Sequence, residues 1–146
     1  MSRSQLDTLL AQIRAKREQT LAECAGLTEA DFVLPTGMNR WDDLRRVLLR
    51  FGDHMREHAS QAGAARIAAG HAPTPPERML AEAELAWGML LGATVGLNDE
   101  AAAETPPDGG WSVVQVLEHV LKTEETYLNA VRAAKTHGPR KQHGAS

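Results

Sequence analysis

A single cysteine, Cys24, stands in the whole chain, so an internal disulfide and a cysteine-rich zinc site are both excluded. Aromatic residues are scarce, with one Tyr and two Phe, and β-branched runs are missing while Ala and Leu abound. That mix favours helices over sheets. No window approaches the roughly 20 consecutive apolar residues that span a bilayer. The formal charge of −3 offers no basic footprint for nucleic acid. Arg3, Asp7, Gln12 and Arg14 interrupt the N-terminus, which therefore lacks the apolar stretch of a signal peptide. The expectation from these absences is a soluble cytoplasmic protein with no nucleic-acid and no membrane partner. What is present is ordinary for one globular domain: 146 residues, 42% hydrophobic and 24% charged.

Hydrophobic periodicity divides the chain into four long helices. The first runs from about Ser4, a natural N-cap, to Cys24, with Leu6, Leu9, Leu10, Ile13 and Leu21 on one side. Gly26 ends it. Leu27 to Arg40 forms a long connector containing Pro35 and Gly37, with one short turn started by Thr28-Glu29. The second helix spans Trp41 to Ala69 and stops at Gly70 and the prolines at 73, 75 and 76. Pro75-Pro76-Glu77 opens the third, which carries Leu80, Leu85, Trp87 (a core residue by this reading), Leu90 and Leu91 and stops near Gly96. A second connector holds Pro106, Pro107, Gly109 and Gly110, and the fourth helix starts at Trp111-Ser112. Four such helices without a strand signal predict an all-α four-helix bundle with two long connectors over residues 1–136. The tail, residues 137–146, is predicted to be disordered.

A weak internal repeat supports this division. Gly26-Leu27 stand before Trp41 as Gly96-Leu97 stand before Trp111, an offset of 70 residues. Leu10 then matches Leu80, Leu21 matches Leu91, Leu44 matches Val114 and Val47 matches Leu117. The pattern suggests a duplicated helix pair.

Three histidines are suited to one divalent metal. His54 and His58 stand four apart, which places them one above the other on a helix face. His119 is the natural third ligand from another helix. Three protein nitrogens leave a coordination position open, as catalytic sites do. Counted from the two tryptophans, the pair lies deeper along its helix than His119 does. The three meet only if the second and fourth helices face each other antiparallel. Imidazole suits zinc, nickel, copper and iron alike.

The competing reading makes the pair solvated and His119 a buried, hydrogen-bonded imidazole between Leu117, Val120 and Leu121. Asp53, Glu57, Glu118 and Glu124 are near the candidate ligands, where a carboxylate can orient an imidazole or simply be solvated. Glu124 falls at the position of His54 in the repeat. Arg45, Arg46, Arg50 and Arg56 give the second helix a basic stripe, either solvated or able to hold a substrate carboxylate. Trp41 and Trp111 read as anchors at the bundle end. His71, His137 and His143 read as exposed residues without function, and Cys24 as a packed side chain.

The stretches W-S-V-V-Q-V-L-E-H, from Trp111, and L-R-R-V-L-L-R-F-G-D-H-M-R-E-H-A-S-Q, from Leu44, resemble the tryptophan-led and paired-histidine signatures of the DinB-like superfamily. The resemblance implies a four-helix bundle, frequently dimeric, with a three-histidine site for zinc, nickel or iron formed here by His54, His58 and His119. It also implies a thiol-dependent S-transferase type of activity, with bacillithiol, mycothiol or glutathione as the low-molecular-weight thiol and a small electrophilic substrate. The order of the two signatures is reversed relative to the family arrangement, and Leu49 stands where the first tryptophan motif would place a histidine. The alternative is a non-catalytic, stress-related protein that binds a small molecule or a metal. Leu85 and Met89 on one side of the third helix, with Leu80, Trp87 and Leu91 on another, predict a homodimer that buries part of that helix.

Overall fold

Short polar side chains that accept from a backbone amide stand before each long helix and set where it begins. The computed structural model of the chain describes residues 4–137. Ser4 caps α1 (Gln5–Glu23), its hydroxyl accepting from the Asp7 amide at 3.1 Å. Asp43 caps α2 (Leu44–Ala68) by accepting from the Arg46 amide at 2.8 Å. Thr74 opens α3 (Pro75–Ala93) through a capping box with Glu77, and the two prolines occupy positions whose amides would have no helical partner. Ser112 precedes α5 (Val113–His137), where the Ser112 amide donates to Gln115 Oε1 at 2.9 Å and the Gln115 amide donates to Ser112 Oγ at 3.2 Å.

The expected cap at Ser4 and the proline-led start of α3 are found. The second helix begins three residues later than expected, because Trp41 has no side-chain acceptor and Asp43 does. The chain before it doubles back in an isolated antiparallel bridge between Pro35 and Asp43, with the Leu44 amide donating to the Leu34 carbonyl at 3.0 Å. Trp41 is thereby held in the connector.

The short turn expected at Thr28-Glu29 is a 3-10 helix, Glu29–Val33. The second connector is not irregular throughout, as expected, but contains α4 (Asp99–Ala103), capped by Asn98 accepting from the Ala101 amide at 2.8 Å. This completes the repeat. α1 and α3 each have 19 residues, the 3-10 helix and α4 each have 5, and α2 and α5 each have 25. Gly26 and Gly96, at equivalent positions, turn the chain with φ of 79° and 83°, a conformation that a Cβ disfavours.

The chain falls into two compact units, residues 1–96 and 97–146. In the first, the 3-10 helix packs on α2, and Arg66 near the end of α2 reaches Glu77 in the first turn of α3 at 3.1 Å. In the second, α4 packs on α5. The all-α class is as expected, and the described residues contain no strand beyond the isolated bridge. No apolar side chain among the described residues is buried; Ser112 is, at 4% exposure. Trp87, expected in the core, is half exposed, as are or more so Met79, Leu80, Leu85, Met89 and Leu91 on the same helix. No helix of the described residues is long and apolar enough to cross a membrane. The expected tail lies outside the described residues, apart from the backbone of His137, which closes α5.

Candidate metal centre

The four-residue spacing of His54 and His58 does on α2 what helix geometry requires of it. The two Nε2 atoms point at each other 2.9 Å apart, with the rings edge-on at a centroid distance of 4.2 Å. Gln61 Oε1 lies 2.7 Å from His58 Nδ1. In the neutral tautomer of His58 whose Nδ1–H donates to Gln61 Oε1, the Nε2 keeps its lone pair and can accept from His54 Nε2–H. Two imidazole nitrogens on one tetrahedral ion, each at about 2.0–2.1 Å, stand roughly 3.3 Å apart. Small ring rotations therefore convert the present pair into two ligands of one ion. Gln61 would be the outer partner orienting such a ligand, and sequence reasoning missed it while weighing only carboxylates. Its signal was its position, one turn beyond His58 on the same face.

The carboxylates weighed on α2 have other partners. Asp53 pairs with Arg56 at 2.7 Å and Glu57 pairs with Arg50 at 2.9 Å. The hydrogen bond from Arg50, and then its charge, lower the Glu57 pKa below the ordinary carboxylate value. Arg46 is taken by Asp42 at 2.5 Å and Asp43 at 3.5 Å. Much of the basic stripe is thus neutralised within its own helix and cap, which spacing alone did not reveal.

His119 is on α5, in the second unit. Its ring meets Trp111 edge-on with centroids 5.0 Å apart, and its Nε2 lies 3.5 Å from the Thr123 hydroxyl. The side chain is exposed, so the apolar enclosure considered for it is not found. Trp111 itself is 57% exposed. Its contact is with the imidazole, which gives this tryptophan a role beyond closing a helix end. Glu118 and Glu124 are exposed. The structure brings His54 and His58 together; among the described residues no set of three or more His, Cys, Asp or Glu side chains is gathered as a metal-holding group.

Beside the pair, within the first unit, lies a solvent-open cavity of about 510 Å³ between α1 and α2. Lys16 and Arg17 of α1, Arg50, Phe51 and His54 of α2 and Trp41 of the connector line it. The Arg50 guanidinium carbon lies 5.4 Å from the Trp41 ring centre, and that of Arg40 lies 5.3 Å from it. The Thr36 hydroxyl donates to the Trp41 carbonyl and holds this corner of the connector in place.

Comparison with curated proteins and with solved structures yields no match. A family model described as the DinB superfamily matches residues 82–145. The matched segment takes in most of α3, all of α4 and α5, and the Trp111 motif with His119, and leaves out His54 and His58. That segment, somewhat less than half of the chain, is similar to the DinB superfamily.

Proposed function

We propose that the chain is a metal-dependent enzyme of the thiol S-transferase type, acting in the cytoplasm as a homodimer on a low-molecular-weight thiol and a small electrophile. The observation that carries this reading is the convergence of the His54 and His58 Nε2 atoms, with Gln61 fixing the second ring. His119, from the DinB-matched segment, is the third ligand in this reading, which requires α2 and α5 to pack antiparallel. One divalent ion, zinc, nickel or iron, held by the three imidazoles would supply a Lewis acid that favours the thiolate form of the thiol. Gln61 and Trp111 position their respective rings, and the aromatic wall of the adjoining cavity keeps water from the apolar part of a ligand. The dimer is supported by α3, whose exposed Leu80, Leu85, Trp87 and Met89 lie on more than one side of the helix.

Tag-free protein loaded with zinc, nickel or iron, mixed with glutathione and chlorodinitrobenzene, tests the activity: the sulfur displaces chloride and the thiol proton passes to water. Turnover above the metal-free control is the expected result; none with any of the three metals rejects the enzyme. Sedimentation at the 15.9 kDa monomer mass at working concentration rejects the dimer. A second reading, a non-catalytic binding protein, is favoured by the cavity, which is lined by cations and aromatics but by no carboxylate or cysteine. Uptake of the thiol without turnover selects it.

A further inference from the structure

The charges around the cavity between α1 and α2 do not balance. Arg50 is matched by Glu57 at 2.9 Å. Lys16 has no carboxylate partner; its ammonium donates to Gln19 Oε1 at 2.6 Å. Arg17 has no hydrogen bond or ion pair among the described residues, and its guanidinium carbon stands 5.7 Å from the centre of the Phe51 ring. No carboxylate lines the cavity. Two uncompensated cations thus border a hollow whose other walls include Trp41, Phe51 and Met55, in a chain of formal charge −3. A volume of about 510 Å³ falls within the range of small-molecule sites, which combine apolar walls with a few convergent polar groups.

We infer that this cavity binds a small organic anion, a carboxylate on an aryl or alkyl body, with the carboxylate between Lys16 and Arg17 and the body against Trp41 and Phe51. Arg17 suits the role because a guanidinium presents two parallel donors to a carboxylate while lying on an aromatic ring. His54 is common to the cavity wall and to the histidine pair. A bound anion therefore lies against the imidazole, and one of the two proposed substrates is an organic acid. That assignment of substrate class rests on the proposed metal-centred activity; binding of the anion does not.

The test uses full-length protein stripped of metal, titrated by calorimetry with phenylbutyrate and with its neutral amide at low salt. The acid is expected to bind about 10-fold or more tightly than the amide, since hydrogen bonds to charged groups contribute about 1.5–3 kcal/mol. Lys16→Gln combined with Arg17→Gln is expected to abolish that preference. The indole N–H resonance of Trp41 is expected to shift on saturation with the acid, more than those of Trp87 and Trp111. Equal affinity for acid and amide, a preference that survives the double substitution, shifts confined to Trp87 or Trp111, or no binding because a second copy covers the cavity would each overturn the inference. Metal uptake by the same preparation is read separately, so failure of the metal-centred reading is distinguishable from failure of this one.

Discussion

The two halves of the repeat, 4–69 and 74–137, share a skeleton and differ in what their tryptophans touch. Both open with a hydroxyl cap followed by an acid three residues on, Ser4 with Asp7 and Thr74 with Glu77. Both turn at a glycine of positive φ, form one short helical turn, and end in a helix of 25 residues. In the first half Trp41 lies beside the guanidinium groups of Arg40 and Arg50. In the second half Trp111 holds the imidazole of His119. The first half has the histidine pair where the second has Glu124 at the position of His54. The two halves share the caps and turns that backbone geometry demands and differ in the chemistry of the side chains beyond the tryptophan.

The largest effect expected from breaking this comparison is on metal content. Wild-type protein is predicted to hold about one divalent ion per chain, and His54→Ala, His58→Ala and His119→Ala each to abolish it. Elemental analysis in which His119→Ala keeps its metal while His54→Ala loses it would show that the halves do not serve one site. Next in size is Gln61→Ala, predicted to weaken metal affinity roughly 10- to 100-fold while leaving the stoichiometry unchanged. Competition with a chromophoric chelator measures it; an unchanged affinity denies Gln61 an orienting role.

Smaller effects fall on the shared skeleton. Ser112→Ala, at the buried cap of α5, is predicted to cost about 1–2 kcal/mol in urea unfolding, and Ser4→Ala, at an exposed cap, about 0.5–1 kcal/mol. Equal losses would mean that burial adds nothing to a cap. The smallest effect is acid sensitivity. Asp31 and Glu77 are held below their ordinary values of 3.8 and 4.5, first by the Thr28 and Thr74 backbone amides that donate to them. A carboxylate with a depressed folded value stabilises fully above its unfolded value and loses that contribution as pH falls through the folded one. Helical circular dichroism is therefore expected to decline slightly on acidification below about 4.5, and Glu77→Gln to remove part of that decline.

The parts legible in the sequence were those carried by one residue and its near neighbours. Ser4 as a cap, Pro75 as a helix opener and Gly70 as a stop each act through local backbone geometry. The histidine pair was legible for the same reason, because four residues on a helix fix two side chains on one face. Trp41 misled the start of α2 because its bulk marks a helix end without supplying the acceptor that Asp43 has. α4 was hidden by the prolines and glycines downstream of it, although the repeat, carried one step further from Glu29–Val33, points to it. The pairing of Arg50 with Glu57 was not legible, since it spans seven residues and depends on side-chain conformers that spacing does not determine.

One oxygen has an unusual share in this architecture. Glu77 Oε2 accepts from the Thr74 amide at 2.8 Å, from the Thr74 hydroxyl at 2.9 Å and from Arg66 at 3.1 Å, while Arg66 Nε donates to the His71 carbonyl at 2.7 Å. A single atom thus joins the cap of α3 to the end of α2 across the seam between the two halves. Severing the chain at residues 70–74 to obtain each half separately would divide Arg66 from Glu77 inside the first compact unit and leave both new ends to fray, so the sequence repeat is a poor guide to where this molecule can be cut.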